Sequence, residues 1–198
     1  IITAFFPGNM FASGDFDRED RVKLFNQTAS LLDKGENSRA ISILKARIKK
    51  HPDNLEAISQ LIKSYAKMCD VEEAERFLNN YFRKSPANQS PLLKDFVSAE
   101  KMFYSRKFKK GIEYFDKVLL SLGNVDDNLS FAVCLLEKTK CCIGKRDVDS
   151  ALKLTKRIAG VTDSIPGVER LFLESLALKA QSLSMLDKLN EADSLYRS

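Results

Sequence analysis

A single histidine, four cysteines and no long apolar run narrow what this chain of 198 residues can do. With only His51 to titrate near neutrality, acid–base work would have to rest on carboxylates or lysines. His51 stands beside Pro52 at a predicted hairpin end, where an exposed turn residue is the simpler reading. The sequence holds no glycine-rich phosphate loop, no nucleophile elbow, no His-Glu-x-x-His and no calcium loop. Its adjacent carboxylates, Glu72/Glu73 and Asp126/Asp127, fall at predicted helix starts, where the helix dipole favours them. The expectation is a non-enzymatic chain with no catalytic residue, cofactor or metal. Cys69 falls at a turn, while Cys134, Cys141 and Cys142 share one predicted helix, and no pair has C-x-x-C spacing. They read as apolar filler in a reducing compartment, so a cytoplasmic location is expected. No apolar run approaches the roughly 18–20 residues of a membrane span. The period-two alternation of a half-buried strand is missing too, which leaves an all-α fold.

What is present is a repeat. Gly35, Ala40, Leu44 and Pro52 recur as Cys69, Ala74, Leu78 and Pro86, each pair 34 residues apart. Small residues continue the series at 40, 74, 111, 151 and 192, so the interval grows through 34, 37, 40 and 41. A small residue, a large apolar residue and a late proline on a fixed interval mark stacked helix hairpins. One such hairpin cannot bury its own apolar face and needs neighbours. The widening interval requires longer helices or longer turns in the second half.

Helix signals begin at Asp17, with Leu24, Thr28, Leu31 and Leu32 on a 3–4 spacing. Gly35 ends that helix, and Asn37 or Ser38 is expected to cap the next. Asp70, Asp126-Asp127-Asn128 and Asp147 read as further caps, Ser90-Pro91 opens a helix, and Ser164-Ile165-Pro166 is expected to start the last long one.

The segment LIKSYAKMCDVEEAERFLNNYFRKSP, with Leu61, Tyr65, Ala74, Leu78 and Pro86, resembles the tetratricopeptide family. GENSRAISILKARIKKHPD fits the same pattern, a third unit around Ala99, Phe108, Gly111, Phe115 and Val118 fits more loosely, and Ala151, Ala180 and Ala192 anchor two degenerate ones. The resemblance implies a right-handed α-solenoid of about five antiparallel hairpins. Their expected bounds are about 18–53, 54–88, 91–123, 126–160 and 166–198. Residues 1–17, with Phe5, Phe6, Pro7 and Phe11, have no helical period and read as an arm or linker. Ile1–Phe6 reads as a fragment edge rather than a signal-peptide remnant. Leu189–Ser198 reads as a second helix cut short, so the chain is expected to be part of a larger protein.

Within that family the first helix of each hairpin lines a concave groove, and side chains spaced 3 and 4 apart share its face. This implies a groove containing Glu56 and Lys63, then Phe96, Glu100 and Phe103, then Leu136 and Lys140, and finally Gln181. An apolar strip edged by charges suits an amphipathic helix or extended peptide. Phe96, Phe103 and Leu136 fit core contacts with the next hairpin equally well. The Lys/Asn/Arg cluster with which some relatives clamp acidic chaperone tails is replaced here by Val22, Phe25 and Ala29, which disfavours that partner. Basic residues gather on the predicted second helices (Lys45, Arg47, Lys49, Lys50; Lys107, Lys109, Lys110; Lys153, Lys156, Arg157), the solvated convex side. With a net charge of only +5, they read as a soluble surface rather than a nucleic-acid footprint.

The function implied is a protein-interaction scaffold, set by analogy of fold alone in a bacterial secretion, pilus-assembly or regulatory protein. LIKSYAKMCDVEEAERFLNNYF also resembles the pentatricopeptide family, whose hairpins read RNA bases. The drifting interval spoils the register such a code needs. A third reading makes the chain the regulatory domain of an enzyme whose catalytic part lies elsewhere.

Overall fold

The computed structural model describes residues 15–84, 90–123 and 127–197, and every regular element within them is an α-helix. The helices are α1 (Asp15–Asp33), α2 (Asn37–Lys50), α3 (Leu55–Lys67), α4 (Val71–Lys84), α5 (Pro91–Tyr104), α6 (Phe108–Leu122), α7 (Asn128–Gly144), α8 (Val148–Thr162), α9 (Glu169–Ser184) and α10 (Leu189–Arg197). Each odd-numbered helix packs on the even-numbered one that follows, and successive hairpins stack into an all-α solenoid. The aromatic and proline-bearing segment before position 15, together with Pro86 and Asp126, lies outside the described residues.

One turn is repeated five times. Gly35, Cys69, Arg106, Arg146 and Asp187 all adopt left-handed backbone, with φ of 76°, 58°, 57°, 65° and 58°. The residue after each donates its amide back to the preceding helix: Glu36 to Leu31, Asp70 to Tyr65, Lys107 to Met102, Asp147 to Cys142 and Lys188 to Leu183. This six-to-one bond closes a helix with a Schellman motif. The five turn residues sit five positions before the five small residues at 40, 74, 111, 151 and 192, so both series share one widening interval. The hairpin bend is therefore constant. The extra length is spread over the first helices (13 residues in α3, 14 in α5, 17 in α7 and 16 in α9), the second helices (14 in α2 and α4, 15 in α6 and α8) and the connections between hairpins.

The small residues mark the tightest crossings. Ala40, Ala74 and Ala151 are fully buried and Ala192 nearly so. At Gly111 a Cβ would stand 3.0 Å from the Cys141 sulfur, which is why glycine replaces alanine in that unit. One continuous apolar core runs from Val22 in α1 to Leu171 in α9, while Ala180, Leu183 and Ala192 form a separate small cluster in the last hairpin. Cys134, Cys141 and Cys142 are buried thiols within the core, and burial raises the pKa of all three, that of Cys142 to about 11.

Several helix starts follow the sequence. Asp127 and Asp147 accept from the amides of Ser130 and Ser150, and Asp70 from that of Glu73. Pro91 occupies the first turn of α5 behind Ser90. Two starts differ. Glu36, not Asn37 or Ser38, precedes α2, and it makes no side-chain cap. Pro166 does not open α9: Gly167 turns the chain at φ 78° and the helix begins at Glu169. No described helix is long and apolar enough to cross a membrane.

Candidate functional site

The first helices α1, α3, α5, α7 and α9 line the inner face, but they do not leave an open trough. Besides packing on its neighbours in the series, α3 reaches past α5 to touch α7. Helix α1 reaches further still. Its Arg21 guanidinium, nearly enclosed, donates to Glu56 of α3 at 2.7 and 3.2 Å, to Ser130 of α7 at 2.8 Å and to Asp127 at 3.1 Å. Ser130 in turn donates to Glu56 at 2.8 Å. Burial works against the arginine's charge, but the two carboxylates outweigh it and push its pKa upward. Near the α9 start, the Asn26 amide donates to the Gly167 carbonyl at 2.9 Å, and Arg170 pairs with Asp33.

Farther along the inner face lies a second ionic group. Lys63 of α3 stands 3.5 Å from Glu174 of α9; Lys140 of α7 donates to Glu137 at 2.6 Å and stands 4.0 Å from Glu174. Glu100 of α5 joins this group from the interior. It is 1% exposed, one of its oxygens accepts no hydrogen bond, and Ser59 supplies a donor to the carboxyl. Desolvation, reinforced by the charge of Glu137, drives the Glu100 pKa well above the usual carboxylate range. Burial alone would lower the pKa of Lys140; instead Glu137, Glu174 and Glu100 raise it. That reversal means the potential along this wall is negative.

At the edge of this group the face opens into a recess of 480 Å³ lined by Phe103, Tyr104, Phe108, Lys140, Leu178 and Gln181, with Arg106 on its rim. Phe103 sits edge-on to Tyr104 at 5.0 Å between centroids and tilted against Phe108 at 6.0 Å. The floor depends on Gly144, where a Cβ would come within 2.6 Å of the Phe108 ring.

The eight residues expected in a groove therefore divide. Phe103, Lys140 and Gln181 meet at the recess. Glu56, Lys63 and Glu100 are on the inner face but engaged with internal partners. Phe96 is a correction: it is fully buried, edge-on to Phe115 at 5.9 Å, and is a core side chain. Leu136, 1% exposed, is likewise core. Both point inward because α7 packs directly on α5 and α3, leaving no space for a partner between them. Reading one repeat at a time missed Tyr104, Phe108 and Glu137, because hairpin ends and cross-helix charges have no counterpart in the repeat pattern.

A tetratricopeptide-repeat family model matches residues 31–96. The chain as a whole has the fold of a tetratricopeptide-like solenoid. The matched span coincides with the one 34-residue step; beyond it the tetratricopeptide-like units lengthen. Two crystal structures of nearly identical TPR-like repeats from a Podosopora anserina putative kinesin light chain share the fold at 16% identity. One, a point-substituted form, has a TM-score of 0.52 over 91% of this chain and 92% of that one. The other has a TM-score of 0.50 over 91% and 93%. No curated protein matches the sequence. Tetratricopeptide repeats generally mediate protein–protein interactions, and this chain carries that scaffold.

Proposed function

We propose that this chain is a non-catalytic interaction scaffold that holds a peptide of another protein at the recess between α5, α6, α7 and α9. The observation that carries this reading is the convergence of Phe103, Lys140 and Gln181, from three different first helices, on one 480 Å³ opening. An aromatic wall, a polar amide and a charged head in one concavity are what a peptide site needs. Glu56, Lys63 and Glu100 are engaged with internal partners, which supports a local recess over a groove running the length of the solenoid. Free buried thiols fit a reducing, cytoplasmic setting.

The test is a photo-crosslinking residue placed at exposed Gln181, compared with one at exposed Lys153 on the convex helix α8. A protein adduct formed from Gln181 alone, and resistant to nuclease, supports the recess. Adducts from Lys153 alone, or adducts abolished by nuclease, would move binding to the basic convex helices and favour an RNA partner.

A further inference from the structure

The recess opens at the edge of the solenoid where the turns of the third and fourth hairpins meet. Arg106 lies on its rim and Phe108 in its wall, and Phe108 rests against Gly144, so the two turns are held side by side. Around that contact the exposed residues are basic: Arg106, Lys107, Lys109 and Lys110 from one turn, Lys145 and Arg146 from the other. From Tyr104 to Ile112 the chain carries no carboxylate, whereas the corresponding turns of other hairpins hold Asp33 and Glu36, Asp70 and Glu72, and Asp187. Lys145 pairs with Asp147 at 3.5 Å, but among the described residues Arg106, Lys107, Lys109, Lys110 and Arg146 form no ion pair. Like charges gathered on one edge repel one another and raise a positive potential that draws an anion.

The ionic group behind the recess does not offset this charge. Desolvation holds the proton on Glu100 well above the usual carboxylate range. With that proton in place, Glu137 and Glu174 face Lys63 and Lys140, and the group is neutral. The recess itself is lined by Lys140 and Arg106 and by no carboxylate, and most of its remaining wall is apolar, with Phe103, Phe108, Ile143 and Leu178. We propose that the partner peptide is acidic: one apolar side chain enters the recess, and glutamates or aspartates beside it lie over the basic edge of the third and fourth turns. This rests on the recess being the peptide site.

The arrangement favours a peptide over a nucleic-acid strand, which is also a polyanion. Bases held on a protein stack on free aromatic faces, and the strand follows an extended basic track. Here Phe103 sits edge-on to Tyr104 and tilted against Phe108, while Phe108 is held against Gly144, so the rings are taken up with one another and with the backbone. The basic edge is compact, formed by two adjacent turns. An apolar recess beside exposed cations complements a short peptide with an apolar anchor and acidic neighbours, and the charges set specificity more than they set raw affinity.

The experiment is an amide chemical-shift titration of the isotope-labelled chain with three acetylated, amidated pentapeptides, each a central leucine flanked on both sides by glutamates, glutamines or lysines. The glutamate peptide is expected to move the amides of Tyr104, Arg106, Phe108 and Arg146. It should bind about tenfold more tightly than the glutamine peptide, the sum of several exposed ion pairs, and the lysine peptide should bind least. That advantage should disappear in about 1 M salt, where charges are screened within about 3 Å. It should also disappear in the double variant Lys107→Gln with Lys110→Gln, whose fold is checked from the undisturbed amides of α1 and α2, and survive in Lys153→Gln on the convex helix α8. Equal binding of the three peptides, preference for lysine, or an advantage that persists in the double variant would overturn the acidic partner while leaving the recess as a peptide site. A short oligouridylate that moves the same amides and displaces the glutamate peptide would overturn it in favour of a nucleic acid. Silence of the recess amides with all three peptides would overturn both the acidic partner and the peptide site.

Discussion

The Arg21 guanidinium meets both oxygens of Glu56, at 2.7 and 3.2 Å, across the interface between the first and second hairpins. Because the same arginine holds Asp127 and Ser130 of the fourth hairpin, one side chain ties α1 to α7. Removing one partner of such a buried pair strands the other charge, so Arg21→Ala should cost about 3–5 kcal/mol. The double variant Arg21→Met with Glu56→Leu should recover most of that loss. Denaturant melts of the two variants measure both quantities. A loss below about 1 kcal/mol for Arg21→Ala would show that the clasp is weak.

Stability should also depend on pH through Glu100. Its pKa is raised in the folded chain, so between the ordinary carboxylate value and the raised one the folded state binds more protons than the unfolded state. Stability is therefore fully present below the ordinary value and declines as pH rises, by at most about 1.4 kcal/mol per pH unit. Glu100→Gln removes this component. Melting series across pH should show wild type losing ground to the variant on the alkaline side.

The repeated turn makes opposite predictions at glycine and non-glycine positions. Arg146 at φ 65° carries the left-handed penalty that Gly35 avoids, so Arg146→Gly should stabilise by about 1 kcal/mol and Gly35→Ala should destabilise by a similar amount. Nothing lies within 4 Å of a Cβ built at Gly35, so that loss would be conformational and not a clash. Ala74→Leu, at a fully buried crossing, should cost about 1–3 kcal/mol by overpacking. Equilibrium unfolding distinguishes all three.

The fold was legible because its signals are local. The 34-residue step from Ala40 to Ala74, the aspartates before α4, α7 and α8, and the proline opening α5 each announce themselves within one hairpin. The site was only half legible, because closure of the inner face is a relation between distant hairpins. Phe96 and Phe103 lie two turns apart on one face of α5 and have the same sequence character, yet Phe115 and the neighbouring helices enclose the first while the second reaches the hairpin end. Charges at Glu100, Glu137, Lys140 and Glu174 carry no repeat signature, so their grouping required the packing of α5, α7 and α9.

That division gives Phe96 and Phe103 opposite roles. Phe96→Ala should cost about 3–5 kcal/mol as a core cavity. Phe103→Ala should cost markedly less, since its ring is only partly buried. Denaturant melts of the two single variants, run side by side, check the difference.

The most direct measurement of the central claim is the affinity of the crosslinked partner, once isolated, for wild type and for Phe103→Ala, with a melting curve on each. A loss of about tenfold or more in affinity with little change in melting temperature is the predicted result. Undiminished binding to a folded Phe103→Ala chain would contradict it and place the interaction away from the recess.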